Sequence, residues 1–256
     1  MILVIPSIQL INGECGDEIS GFSAECGVYD IFKKSPQDLI KLWRRENAKT
    51  IHINNVDSFL NLDHSQNLDI INNFSSLTEI PISLFHYYKN IDTCESLLKS
   101  EIYRVFIGTM LFDDIKNSKE LVQKYTTSRI CANLLTDGTD AIFLNNNTKV
   151  PVKEVLEIFK EIGIHRILYN CTYPLNEITL EEIKKISKIN KDFNFKISLN
   201  CGAIHPKDLW LLNENAGYGI DSVIVGRALY QNNFPCQMIW RLVEEELEPE
   251  ILKSSK

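Results

Sequence analysis

The sequence lacks several features that would place it in a specialised class of protein. It carries 34 acidic and 27 basic residues, a net charge of −7, so it has no basic excess with which to neutralise nucleic-acid phosphates. No apolar run approaches the roughly 18 residues that a membrane helix needs. The apolar start at Met1–Pro6 has no basic residues before it, unlike a signal peptide, and indicates a buried strand. We therefore expect a soluble, cytoplasmic protein that binds neither nucleic acid nor membrane.

The cysteines also lack any recognisable pattern. There are seven, an odd number, scattered along the chain without a C-x-x-C pair or a histidine at metal-ligand spacing. This usage favours a reducing compartment and gives no sign of a structural metal. We expect the protein to hold neither a metal nor a cofactor.

What the sequence does contain is a regular alternation of short apolar runs and amphipathic segments. The runs recur about every 32 residues and have the β-branched composition of buried parallel strands. The eight predicted strands are Ile2 to Ile8, Thr50 to Asn54, Ile80 to Leu84, Arg104 to Ile107, Arg129 to Leu134, Arg166 to Tyr169, Lys196 to Leu199 and Ser222 to Val225.

Helix signals fill the segments between these runs. Ser35 and Pro36 form a helix start, and Pro151 opens a segment whose apolar residues follow one helical face until Gly163. Thr179 and Glu182 have the spacing of a capping box, and Pro235 starts a last helix. Eight such units in a chain of 256 residues predict a single (β/α)8 TIM barrel over residues 1–256, with an open doubly wound sheet as the second choice.

Internal similarity divides this barrel into two halves. The segment around Gly108 matches the segment around Gly226, and three further matches occur in the same order at offsets of roughly 115 to 125 residues. The repeats predict pseudo-symmetric half-barrels at about residues 1–125 and 126–250.

With these motifs placed, the chain resembles the phosphate-binding barrels of histidine biosynthesis. Within them it is most similar to the isomerase family that opens the ribose of a bis-phosphorylated aminoimidazole-carboxamide ribotide. The resemblance covers nearly the whole length and rests on four segments: residues 5–13, residues 48–57, Arg104 to Thr109, and Val223 to Tyr230. It implies a phosphorylated small molecule as the ligand and an intramolecular oxidoreductase-type isomerisation as the reaction.

The two acid/base positions that the resemblance implies are not occupied by acids. The family uses aspartates at the ends of strands one and five, which we place four residues before Gly13 and Gly138. Those positions hold Gln9 and Leu134. An amide cannot shuttle a proton, and an alkyl side chain cannot even form a hydrogen bond. The remaining weak catalytic candidates are Asp57, Asp137 and His86, although Asp137 has the position of a simple turn residue.

The resemblance also implies two phosphate sites, of which the sequence retains one. After strand seven a glycine survives, so we predict a phosphate held by Gly202, Ala203, Gly226 and Arg227. After strand three the aromatic run Phe85 to Tyr88 cannot form such a backbone nest. Gly108 and Thr109 are therefore weaker candidates for phosphate binding.

Neutral amides dominate the remaining positions at the predicted barrel mouth. We assign Gln9, Asn55, Asn170 and Asn200 to the ligand pocket. Cys171 and Cys201 fall at the same mouth, where packing as small residues is favoured over redox or nucleophilic chemistry. His52 on strand two is favoured as a core histidine.

Three functions stay open on this evidence. The first is a catalytically silent family member, a binding or regulatory protein for a mono-phosphorylated metabolite. The second is an active sugar-phosphate or ribotide isomerase of the aldose-ketose type with altered acid/base residues or substrate. The third is a structural or assembly subunit that docks on a protein partner through an exposed apolar patch.

Overall fold

The chain folds around eight parallel strands that close on themselves. The computed structural model describes residues 2–16, 32–60, 65–143, 148–171, 178–202, 205–215, 217, 219–231 and 234. The barrel strands are β1 (Leu3–Ile11), β3 (Ile51–Asn55), β4 (Ile82–Phe85), β5 (Arg104–Ile107), β6 (Ile130–Thr136), β9 (Arg166–Cys171), β10 (Lys196–Asn200) and β11 (Ile220–Val225). All eight correspond to the predicted strands.

Parallel pairing runs once around the barrel and returns to its start. The order is β1, β3, β4, β5, β6, β9, β10 and β11, and β11 pairs with β1. Leu3 lies opposite Ser222 on one side of β1, and Ser7 lies opposite His52 on the other. The (β/α)8 barrel is therefore confirmed, and the doubly wound alternative is wrong because an open sheet would leave two unpaired edges.

Helices follow the strands and cover the outside of the barrel. They are α1 (Pro36–Arg45), α2 (Ser65–Leu77), α3 (Ile91–Lys99), α4 (Met110–Asp113), α5 (Ile115–Tyr125), α6 (Val152–Ile162), α7 (Leu180–Asn190), α8 (Pro206–Glu214) and α9 (Arg227–Tyr230). Among the described helices, none is both long and apolar enough to cross a membrane. The predicted helix from Pro235 lies outside the described residues.

Helix α6 shows how the sequence pattern produces this packing. Its buried residues are the predicted apolar face: Val152, Val155, Leu156, Phe159 and Ile162. Gly163 ends the helix in a left-handed conformation with φ of 93°, which glycine adopts without steric cost. The predicted cap of α7 is also present, since the Thr179 side chain accepts a hydrogen bond from the Glu182 backbone N–H.

Two short antiparallel hairpins were not anticipated in the sequence. Strand β2 (Glu14–Cys15) folds back on the end of β1. Strands β7 (Asp140–Phe143) and β8 (Thr148–Pro151) form a hairpin that pairs with the end of β6 at Thr136. Both hairpins lie at the carboxyl ends of barrel strands, where (β/α)8 proteins build their sites.

The strands alternate between two separate cores. One cluster inside the barrel consists of Ile5, Phe106, Cys131, Leu168 and Ile224. The larger cluster joins the outward-facing strand residues to the helices. Because successive side chains of a strand point to opposite faces, membership in these clusters shows which strand-end residues face the mouth.

Candidate functional site at the barrel mouth

Three asparagines form a hydrogen-bonded chain across the mouth. The Asn200 side-chain NH₂ donates to Asn170 Oδ1 over 2.6 Å, and the Asn170 NH₂ donates to Asn133 Oδ1. Asn133 and Asn170 lie two residues beyond Cys131 and Leu168, which belong to the interior cluster, so both face inward. The structure thus brings the predicted Asn170 and Asn200 together and adds Asn133, which the sequence had not singled out.

Gln9 and Asn54 continue this ring of amides on the first strands. They lie opposite each other in the pairing of β1 with β3, and Gln9 is on the inward face of β1 with Ile5. The turn after β2 closes over Gln9, since the Gly16 N–H donates to the Gln9 carbonyl over 3.0 Å. Asn54, the last residue of the second predicted strand, is the residue of the Asn54–Asn55 pair that faces the interior.

Leu134 does not occupy the mouth position predicted for strand five. It is buried in the outer cluster, between the strands and helices. Its neighbours Asn133 and Leu135 face the interior, because side chains alternate along β6. Counting back from Gly138 gave a position one residue away from an inward-facing one, and a one-residue shift along a strand moves the side chain to the opposite face.

Asn55 is not part of the ligand pocket either. Its side chain is completely buried on the outer face of β3, where its NH₂ lies 3.1 Å from His86 Nδ1. Its Oδ1 accepts a hydrogen bond from Asn67 of α2 over 2.9 Å. The prediction failed for the same reason as at Leu134, because the inward position of β3 is Asn54. His86 is buried with Asn55 and packs its ring edge against Tyr88.

Asp57 holds the loop after β1 in place. Its Oδ2 accepts hydrogen bonds from the backbone N–H of Asn12 over 2.6 Å and from the Asn67 NH₂ over 2.9 Å. Asn67 in turn accepts from the Gly13 N–H over 2.7 Å. Asn12 and Gly13 both have positive φ, so their turn needs this support. The carboxylate is 1% exposed and fixes the backbone of a loop at the mouth.

Asp137 is a turn residue of the β6–β7 connection. Its Oδ1 accepts from the N–H groups of Thr139 and Asp140, and its Oδ2 lies 2.9 Å from Lys149 Nζ. The backbone hydrogen bond from Asp140 and the neighbouring Lys149 lower the pKa of Asp137 to about 2. A carboxyl that stays ionised at neutral pH cannot act as a general acid.

His52 lies deeper in the barrel and is uncharged. Its Nδ1 is 3.1 Å from Ser83 Oγ, and its ring meets the edge of Phe106 in the interior cluster. Complete burial lowers the pKa of His52 to about 3, because desolvation disfavours the imidazolium. This placement agrees with its interpretation as a core histidine.

Aromatic side chains occupy the mouth beside strands β4 and β5. The rings of Phe59 and Phe85 are 4.4 Å apart, and Tyr87 meets Phe59 at 6.4 Å. They enclose a cavity of about 40 Å³, lined also by Gly108 and Thr109. Ligand sites are typically of roughly 300–1,000 Å³, so this cavity has room for a few waters and not for a sugar phosphate.

The opposite side of the mouth contains the glycines predicted to bind phosphate. Gly202 follows β10 with φ of 89°, a conformation that turns the backbone sharply after the strand. Gly226 follows β11 and precedes α9, whose first residue, Arg227, is exposed. Ala203 lies outside the described residues. The structure thus places Gly202, Gly226 and Arg227 at the ends of adjacent strands.

Cys171 and Cys201 are joined by a disulfide at this same side. Cys171 ends β9 and Cys201 follows β10, with their Cα atoms 5.2 Å apart. The expectation that they merely pack as small residues is wrong. Scattered sequence positions gave no sign of the pairing, whereas the parallel register of β9 with β10 brings both residues to adjacent strand ends.

Eight parallel strands, with loops and short helices over their carboxyl ends, define a (β/α)8 barrel with its site at the mouth. A family model described as "Histidine biosynthesis protein" matches residues 3–235, and the chain belongs to this family.

Similar proteins in several bacteria are named 1-(5-phosphoribosyl)-5-((5-phosphoribosylamino)methylideneamino)imidazole-4-carboxamide isomerase. The protein of Chlorobium chlorochromatii is 30% identical, with 96% of this chain and 95% of the relative covered. The protein of Pelodictyon phaeoclathratiforme is 29% identical over the same shares. That of Salinibacter ruber is 27% identical, with 94% and 93% covered. The relatives are thus matched along nearly their whole length.

Proposed function

We propose that this protein binds one phosphorylated metabolite at the barrel mouth and does not catalyse isomerisation. The observation that carries the proposal is the set of inward-facing residues at the strand ends. In the described part of the chain these positions hold amides at Gln9, Asn54, Asn133, Asn170 and Asn200. We infer that the protein acts in the cytoplasm, where such metabolites are made and used.

An aldose-ketose isomerisation needs one group that gives a proton and one that takes it. Amide side chains do neither at neutral pH. The carboxylates closest to this role serve other purposes, since Asp57 supports the first loop and Asp137 pairs with Lys149. His52 stays neutral inside the barrel, with a pKa of about 3. The mouth is therefore suited to orienting hydroxyl and amide groups of a ligand.

One phosphate fits the second half of the barrel better than the first. Gly202 and Gly226 lie at adjacent strand ends beside Arg227, whereas Phe59, Phe85 and Tyr87 fill the opposite side of the mouth. The protein has a net charge of −7, so the anion would be held by local backbone N–H groups and one arginine rather than by an overall positive field.

The decisive test is turnover of the relatives' ribotide substrate by purified protein. We expect no isomerised product above the uncatalysed rate, and no growth when the gene replaces the isomerase in a histidine auxotroph. As a matched control, the double variant Gln9→Asp/Asn133→Asp replaces the inward-facing amides of β1 and β6 with carboxyls. A measurable rate in the double variant alone would support the proposal, and turnover by the wild-type protein would refute it.

Phosphate binding is tested separately by calorimetric titration with inorganic phosphate. We expect Arg227→Gln to weaken binding about tenfold, the loss of one charge-assisted contact. The control Arg45→Gln removes the same charge from the exposed end of α1 and should leave the affinity unchanged. Equal affinities for the two variants would remove Arg227 from the site.

An active isomerase with altered acid/base residues is the second candidate. It is favoured by the similarity to named isomerases over 96% of the chain. Such an enzyme would have to move protons with groups other than the amide ring, and the turnover assay decides between the two. Docking on a protein partner stays a prediction.

A further inference from the structure

We propose that Cys171 and Cys201 form a reversible thiol–disulfide switch that links the ends of strands β9 and β10 at the barrel mouth. The switch itself is a property of these two residues. Its effect on ligand affinity rests on the proposed phosphate site at Gly202 and Gly226.

The disulfide lies at the barrel mouth, directly beside the chain of amide side chains. Asn170 and Asn200, the residues immediately before the two cysteines, lie opposite each other in the pairing of β9 with β10. They are also joined by the 2.6 Å hydrogen bond of the amide chain. Gly202 follows Cys201 directly, so the crosslink fixes the residue that begins the predicted phosphate turn. Cleavage would remove the covalent link between the two strand ends and leave the amide pair and the backbone pairing of β9 with β10.

Two further cysteines of the described chain differ from this pair. Cys94 and Cys131 are buried thiols, and burial raises the pKa of each to about 12. Such thiols are not nucleophilic at neutral pH. They therefore offer matched controls, because neither competes with the pair in thiol exchange.

The chemistry requires a dithiol reductant such as a thioredoxin-type protein or dithiothreitol. Cys171 is partly exposed and Cys201 is 4% exposed, so the attacking thiolate reaches the Cys171 sulfur. A mixed disulfide forms there while the Cys201 thiolate leaves and takes up a proton. The second thiol of the reductant then displaces Cys171 as a thiol. The protein gains two electrons and two protons, and the reductant becomes a disulfide.

In a reducing cytoplasm, a disulfide that forms and breaks reversibly serves to regulate the protein. Cytosolic disulfides in most organisms are transient and either catalytic or redox-sensing. The crosslink of the oxidised form restrains Gly202, which follows Cys201, before the ligand arrives, and this restraint lowers the entropic cost of binding. Reduction removes this preorganisation, so we expect reduced protein to bind phosphate about three- to tenfold more weakly.

The switch is tested first without any ligand. Full-length protein is compared with and without dithiothreitol by hydrogen exchange and by mass spectrometry after alkylation. We expect two additional alkylated cysteines, and about tenfold faster exchange in the peptides that contain Cys171 and Cys201. Replacement of the reductant by oxidised glutathione, which accepts the two electrons and two protons as the disulfide re-forms, should restore both values. A bond that does not re-form, or exchange that does not change, would overturn the proposal.

Variants separate the crosslink from other effects of the reductant. Cys171→Ser and Cys201→Ser should each exchange like the reduced wild type and be insensitive to dithiothreitol. Cys94→Ala, on helix α3, should respond to the reductant as the wild type does. A response that persists in Cys171→Ser would assign the effect to another group and overturn the switch.

The affinity of inorganic phosphate is then measured in both redox states. A three- to tenfold loss on reduction supports the switch acting on the site, whereas equal affinities would refute that action. If phosphate binds in neither state, the proposed phosphate site fails, while the exchange experiment still decides whether the switch exists.

Discussion

At the scale of single residues, the face of a strand decides what a side chain can do. Asn54 and Asn55 are adjacent and identical in type, yet one faces the barrel interior and the other is buried against Asn67 and His86. Leu134 and Leu135 differ in the same way. Motif spacing locates such residues to within one position, and an error of one position reverses the face.

His52 gives a prediction at this scale. Its folded-state pKa of about 3 lies below the ordinary value of 6.5, so the unfolded chain binds the extra proton between these values. Stability is complete above pH 6.5 and falls as the pH drops toward 3, by about 2 kcal/mol at pH 5 relative to pH 7. Urea unfolding at both pH values should show this loss in the wild type and a correspondingly smaller one in His52→Gln. The same pH dependence in both proteins would contradict a neutral, buried His52.

At the scale of secondary-structure elements, the sequence predicted the ends and caps of helices better than the structure of loops. The Thr179 cap and the Gly163 end lie where the sequence indicated them. The β7–β8 hairpin was missed because its strands are short and only Ala141 among their residues is buried, so they carry no strong apolar alternation. The ends of the barrel strands carry the site, and local sequence does not specify which strand ends become neighbours.

Gly163 provides the test at this scale. Its φ of 93° is unfavourable for alanine, while the nearest atom to an added Cβ would be a Val122 methyl at 3.7 Å, an ordinary contact. Gly163→Ala should therefore cost about 1 kcal/mol through the backbone conformation alone. Gly217→Ala, where an added Cβ meets nothing within 4 Å, should leave the free energy of unfolding unchanged. Equal stabilities of the two variants would show that the end of α6 tolerates a side chain.

At the scale of the whole molecule, closure of the barrel joins the two predicted halves. The ladders β1–β11 and β5–β6 both connect strands from different halves. The Trp43 indole N–H also donates to Tyr230 Oη over 3.4 Å, and the Tyr230 hydroxyl donates to the Ser7 carbonyl over 2.6 Å. Separating the halves would expose two rows of unpaired backbone groups on each.

We therefore expect the halves to unfold together. Midpoints from far-UV circular dichroism, which reports all elements, should coincide with those from tryptophan fluorescence, to which the buried Trp43 contributes from the first half. Two separated transitions would show that the halves are independent folding units and that the closing ladders contribute little.

Apolar periodicity and caps are local properties of the chain, so the sequence alone was enough to predict the eight barrel strands and their alternation with helices, although not the short hairpin strands. The sequence also shows that an amide, Gln9, and not an acid occupies the predicted acid/base position on β1. Only the tertiary structure decided which neighbouring residues face the mouth, since that depends on the register of strands closed into a barrel. It alone brought Asn133, Asn170 and Asn200 into one chain and Cys171 beside Cys201, because residues about 30 positions apart meet only when β9 and β10 pair.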